Sequence, residues 1–136
     1  MGELRDTARI VGLEQDGTPR RPKEFSVPRA FIDNGSAKTV VSTAVAHDAG
    51  IKAIPGRTTR VCGALGCSKP VPLGLALLRI GKGCPPKVVL VAISDEVARN
   101  ADADVVVGHD YSQEVRMRSS MGTLKASCHR SRRVSR

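Results

Sequence analysis

An all-β single domain with one or two small helices is the fold class this sequence predicts, on three observations. Apolar runs of strand length recur along the chain, separated by Gly, Pro, Asn and Asp turn signals. The 136 residues, 40% of them apolar, are enough for one core and one domain. Phe25, Phe31 and Tyr111 are the only aromatics and Trp is absent, so Val, Ile, Leu and Ala must fill the interior, and side chains of that size suit thin, compact sheets.

Residues 1–24 read as an N-terminal strand, at 8–13, followed by a turn at 15–19 and a charged connector. Pro19, Pro22 and Pro28 oppose helix there. Phe25–Ile32 alternates apolar and polar residues and delivers a strand to Asp33. Residues 39–42 continue as a strand or a strand-to-helix transition, 42–49 form a short helix, and Gly50 stops it in the C-capping position. Residues 57–62, with β-branched Thr58, Thr59 and Val61, form a strand that returns as Val71–Ile80, and the tip of this hairpin is the small-residue run Gly63-Ala64-Leu65-Gly66. After a Gly- and Pro-rich turn at 81–86, the near-continuous apolar run Lys87–Ile93 is a buried strand, and Ser94 caps a helical turn reaching Arg99. Residues 104–108 form one more buried strand, and 110–113 open a last short helix.

The net charge is +9, and Lys125, Arg130, Arg132, Arg133 and Arg136 supply five of those charges without an intervening acid. Residues 121–136 are therefore expected to be a basic, disordered tail, with weak nucleic-acid contact as its sharper use. A folded nucleic-acid reader carries charge and stacking aromatics on its body, and neither is evident. No apolar stretch approaches membrane-span length, and Glu3, Arg5 and Asp6 stand where a signal peptide would be apolar. The chain is expected to be intracellular and cytoplasmic, without membrane contact and with its four cysteines, at 62, 67, 84 and 128, reduced. Those cysteines form no C-x-x-C pair and the three histidines are scattered, so no metal or other cofactor is expected. His47 and His109 read as surface or cap residues.

Two segments concentrate the chemistry. Phe31-Ile32-Asp33-Asn34-Gly35-Ser36-Ala37 carries an acid at the end of an apolar run into a glycine-bearing turn. A carboxylate so placed loses hydration and must find hydrogen bonds, a partner charge or a proton to share. Val105-Val106-Val107-Gly108-His109-Asp110-Tyr111 again runs an apolar strand into glycine and acid. The plain alternative for the first segment is a β-hairpin, since Asn-Gly between apolar strands is the favoured type I′ turn.

With the Gly-rich hairpin between them, these segments resemble the retropepsin-like aspartic proteases, which include retroviral and retrotransposon enzymes, over residues 5–120. The resemblance implies a small closed β-barrel-like acid protease fold, with the protease domain at 25–120. It further implies a homodimer that cleaves an extended peptide or polyprotein substrate, each copy contributing Asp33 as its catalytic residue. Asn34, Gly35 and Ser36 complete the catalytic loop, and Gly63, Ala64, Leu65 and Gly66 form a flap. Gly108 packs beneath the loop, and Asp110 supports the last helix as an N-cap and stabilises the dimer. Ala30, Ile54, Leu65 and Ile93 are the expected lining of the side-chain pockets. One position departs from the pattern: the family has Thr or Ser after the aspartate, where its hydroxyl bridges the two loops, and this chain has Asn34. An amide both donates and accepts, so it can replace that bridge in altered form. The alternatives are a catalytically weak or inactive dimerisation or peptide-binding module of the same fold, and a basic nucleic-acid-binding protein.

Overall fold

The computed structural model describes residues 4–33, 35–63, 66–81, 83–112, 115–120 and 123–128. In chain order these form β1 (Arg5–Gly12), β2 (Phe25–Ile32), β3 (Val40–Val41), α1 (Thr43–Ala49), β4 (Ala53–Thr59), β5 (Cys62–Gly63), β6 (Gly66–Cys67), β7 (Val71–Ile80), β8 (Lys87–Ile93), α2 (Asp95–Asn100), β9 (Val105–Val107), α3 (His109–Ser112), β10 (Val115–Ser120) and β11 (Thr123–Cys128).

Strands β1-β2-β9-β3-β8-β7 hydrogen-bond in that order, and β7 pairs back onto β1, closing a six-stranded barrel with β4 added outside β7. Closure removes the free edges that an open sheet of this size would present. Strand β1 touches both β2 and β7, so the N-terminal segment belongs to the same unit as residues 25–120.

The side-chain period of two explains which apolar residues go where. Ala8 and Ile10 of β1, Ala76, Leu78 and Ile80 of β7, and Val89 and Val91 of β8 alternate into the barrel interior. A fully buried Leu or Ile contributes roughly 1.5–3 kcal/mol. Strand β9 is apolar at every position because both its faces are covered. Val105 and Val107 enter the barrel core, whereas Val106 turns to a second cluster with Val40, Leu73 and Ala92, flanked by Phe31, Val61, Val97 and Ala101.

Both longer helices begin at serines whose hydroxyls accept a free N–H of the first turn: Ser42 from Val45 N at 3.2 Å and Ser94 from Val97 N at 3.3 Å. Gly50 ends α1 at φ 74°, a left-handed conformation that glycine adopts without Cβ strain. Asp95 and Glu96 occupy the first turn of α2, where the helix dipole favours acids.

The structure departs from the sequence reading in several places. Three short helices form, each where the sequence sets a helix or helical turn, although the fold class counts one or two. Strand β4 starts at Ala53, ahead of the expected 57, because Pro55 and Gly56 are absorbed by a register shift between Ala53 and Thr58. Val115–Ser120 and Thr123–Cys128 pair antiparallel, so strand structure runs into the segment expected to be a disordered tail, while residues 129–136 lie outside the described ones. Cys62 and Cys67 form a disulfide and Cys84 is disulfide-bonded as well, contrary to the expected reduced thiols. Facing positions of one tight hairpin bring the first pair together. Among the described residues no helix is long and apolar enough to cross a membrane.

Candidate functional site

The Asp33 loop owes its shape to strand order. Strands β2 and β3 flank it, yet they do not pair with each other. Strand β9 lies between them, parallel to β2 (Ile32 opposite Val107) and antiparallel to β3 (Val40 opposite Val106). The type I′ hairpin alternative requires β2 and β3 to be hydrogen-bonded neighbours, and it is thereby excluded.

Backbone bonds fix the loop at each turn. Asp33 N donates to Val107 O at 2.9 Å, Ser36 N to Asp33 O at 3.1 Å, and His109 N to Ser36 O at 2.6 Å. The half-buried Asp33 carboxylate accepts the N–H of Gly35 through Oδ1 at 2.9 Å. Ser36, buried, donates its hydroxyl to Lys38 O at 2.8 Å. Asn34 lies outside the described residues.

Gly108 sits directly against this loop, where a Cβ would collide with the Lys38 carbonyl and Ser36 O. Its N–H donates to Thr39 Oγ1 at 3.1 Å, and Thr39 in turn donates its hydroxyl and backbone N–H to Asp110 Oδ1 and Oδ2. Asp110 therefore does not cap α3, inside which it lies, as the sequence reading has it. It instead braces the far end of the Asp33 loop. His109 is exposed at the start of α3, and His47 is exposed on α1.

Asp33, Gly35 and Ser36 border a cleft of about 510 Å³. One wall is the hairpin at 61–68, contributing Val61, Cys62, Gly66, Cys67 and Ser68; the other is α2, contributing Glu96, Val97 and Asn100, with its C-cap Ala101. Phe31 and Val106 form its apolar floor, an extension of the second cluster. The hairpin is thus placed across the cleft from α2, with Gly63 paired to Gly66. Ala64 and Leu65 at its tip lie outside the described residues. Strand β2 presents Asp33 here because Ile32 is committed to the barrel core and Phe31 to the opposite face.

Three of the four expected pocket residues lie elsewhere, and the fourth, Leu65, is outside the described residues. Ala30 is wholly buried in the barrel, Ile93 packs against the same core, and Ile54 borders a separate cleft of about 480 Å³ beside Leu13 and Leu75. What the sequence reading missed is the contribution of α2. Its signal was present in Ser94, which caps a helix immediately before the strand that threads beside Asp33. Among the described residues no three His, Cys, Asp or Glu side chains gather as metal ligands.

A single carboxylate in a half-apolar cleft can act as acid or as base, but not as both at once. No known protein-family model matches the chain, and no curated protein matches it either.

Proposed function

We propose that this chain is one half of an aspartic endopeptidase of retropepsin type, active as a homodimer on extended peptide or polyprotein substrates. The observation that carries the reading is the position of Asp33. It stands on a loop braced by a strand threaded between its two flanking strands, and it opens into a cleft bordered by a glycine-bearing hairpin.

Two carboxyls in contact share one proton, because both cannot ionise comfortably. With Asp33 and the partner's Asp33 so paired, the ionised carboxylate takes a proton from water as the water oxygen attacks the scissile carbonyl carbon. The protonated one gives its proton to the carbonyl oxygen. Collapse of the tetrahedral intermediate returns a proton to the leaving amine and breaks the C–N bond. Gly35 N–H orients the carboxylate, and the absence of a side chain at Gly35 leaves room for substrate backbone. An extended peptide fits between the 61–68 hairpin and the loop as an added strand, held by main-chain hydrogen bonds. The hairpin closes over it and excludes water.

The test is cleavage of an unstructured polypeptide at about pH 4–6, since a carboxyl pair that must share a proton works on the acid side of neutrality. Activity that disappears in Asp33→Ala and is blocked by a hydroxyl-bearing transition-state mimic supports the reading. A verified dimer that cleaves nothing would sink it. Asn34, in place of a bridging hydroxyl, favours as the second reading a peptide-binding module with the same cleft and little turnover.

A further inference from the structure

Beyond its base, where Thr58 and Thr59 pair with Pro72 and Val71, the hairpin beside Asp33 has little ladder of its own. Strands β5 and β6 contribute only two facing pairs, Cys62 with Cys67 and Gly63 with Gly66, and isolated two-stranded ribbons are marginal in water even when longer. Behind them, Val61 N donates to Ser68 Oγ at 3.0 Å and Ser68 N to Val61 O at 2.8 Å. The Cys62–Cys67 disulfide therefore supplies the covalent closure of a wall otherwise held by two facing pairs, two hydrogen bonds and, at its base, the pairing of Thr58 and Thr59 with Pro72 and Val71. Both cysteines are exposed, and both border the cleft that Asp33 enters. Cys84, also disulfide-bonded, is only 3% exposed, so a reductant in solvent meets the hairpin pair first.

We propose that Cys62–Cys67 is a thiol-exchange site at which a dithiol reductant loosens the wall of the Asp33 cleft. A thiolate of the reductant attacks one sulfur of the pair, the S–S bond breaks, and the other cysteine leaves as a thiolate that takes a proton from water. The second thiol of the reductant, deprotonated, then attacks the mixed disulfide. It releases the remaining cysteine and leaves the reductant as a disulfide. The protein gains two electrons and two protons, and the reductant loses them. In the oxidised state the wall is ordered before substrate arrives. In the reduced state part of that ordering must occur on binding, which weakens the complex.

The effect on the wall is independent of the peptidase reading, whereas the effect on cleavage rests on it. The experiment compares three samples: oxidised wild type, wild type after brief dithiothreitol treatment, and oxidised Cys62→Ser/Cys67→Ser. Alkylation with mass spectrometry reads the state of each cysteine. Residues 62 and 67 are expected to alkylate before Cys84. Amides from Val61 to Ser68 should exchange with deuterium roughly tenfold faster or more in the reduced and doubly substituted proteins, the order that opening so short a closed loop gives. Peptide cleavage should lose about threefold or more in kcat/KM through a raised KM in those same two samples. Equal exchange in all three samples overturns the proposal, and so does a pair that resists dithiothreitol while the protein stays folded. Faster exchange with no cleavage by any sample supports the thiol-exchange site and overturns the peptidase reading instead.

Discussion

Asp110 holds Thr39 at two points, accepting its hydroxyl at 2.7 Å and its backbone N–H at 3.1 Å, while the same hydroxyl oxygen accepts the N–H of Gly108. Thr39 is wholly buried, so its own donors and acceptor have no water to turn to if these bonds are lost. Thr39→Val keeps the shape of the side chain but leaves Gly108 N–H without an acceptor and Asp110 with one donor fewer. The expected loss is about 1–3 kcal/mol of unfolding free energy, measured by urea denaturation. A loss within about 0.5 kcal/mol, the range of an ordinary surface change, would refute the bracing role.

Gly108→Ala should be worse tolerated than substitution at a turn glycine with open space. The added methyl meets main-chain atoms of Lys38 and Ser36, which no side-chain rotation can move aside. Overpacking of this kind costs about 1–3 kcal/mol, occasionally more. Because the strain falls on the Asp33 loop, cleavage under the proposed mechanism should fall further than the folded fraction does. Activity tracking the folded fraction alone would show that the loop is unmoved.

Asn34→Thr restores a hydroxyl next to Asp33. Under the proposed mechanism one well-placed hydrogen bond between the loops should raise kcat/KM about tenfold, without requiring a change at Asp33 itself. Lower or unchanged activity in a dimer of equal affinity would mean that Asn34 already makes the bridge or that no bridge is needed.

Asp95 links the two longer helices. Its carboxylate accepts the Thr43 N–H at 2.8 Å and the Thr43 hydroxyl at 2.7 Å, and these bonds, the backbone one foremost, hold its pKa below the usual carboxylate value. A lowered folded-state pKa gives stability that is present above the ordinary carboxylate value and lost as the pH falls through the depressed one. Thr43→Val should therefore be less stable than wild type at neutral pH, and the gap should narrow as Asp95 becomes protonated in both proteins. Urea midpoints at about pH 7 and about pH 2 check this. A gap that stays constant would exclude the hydroxyl–carboxylate bond as its source.

Much of the barrel is legible in the sequence where local chemistry and burial agree. Phe25–Ile32, Val71–Ile80 and Lys87–Ile93 are strands at the residues expected, each apolar enough to be buried and bounded by turn residues. Ser42, Gly50 and Ser94 mark helix ends through backbone chemistry that acts within a few residues. The misses are of another kind. Strand β4 was hidden at its start by Pro55 and Gly56, residues that a central strand rejects but a shifted outer strand accommodates. The β10–β11 pair was hidden by its Arg, Lys and Ser content, which reads as a solvated tail unless the pairing partner is known. The Cys62–Cys67 bond is missed because a chain expected to be intracellular is expected to keep its thiols reduced, although facing positions of one hairpin permit it. For the site, Asp33 and its neighbouring glycine announce themselves, whereas the α2 wall does not, because only the threading of β9 brings Val97 and Ala101 to Phe31.

That threading also orders events in time. The seat of Asp33 is complete only when Val107, far along the chain, has slid between β2 and β3. A nascent chain emerging from its N-terminus has the aspartate early and its seat late, and pairings between such distant residues form slowly. The Asp33 loop therefore takes its final shape late in folding, after the barrel's nearer pairings such as β1 with β2 have formed.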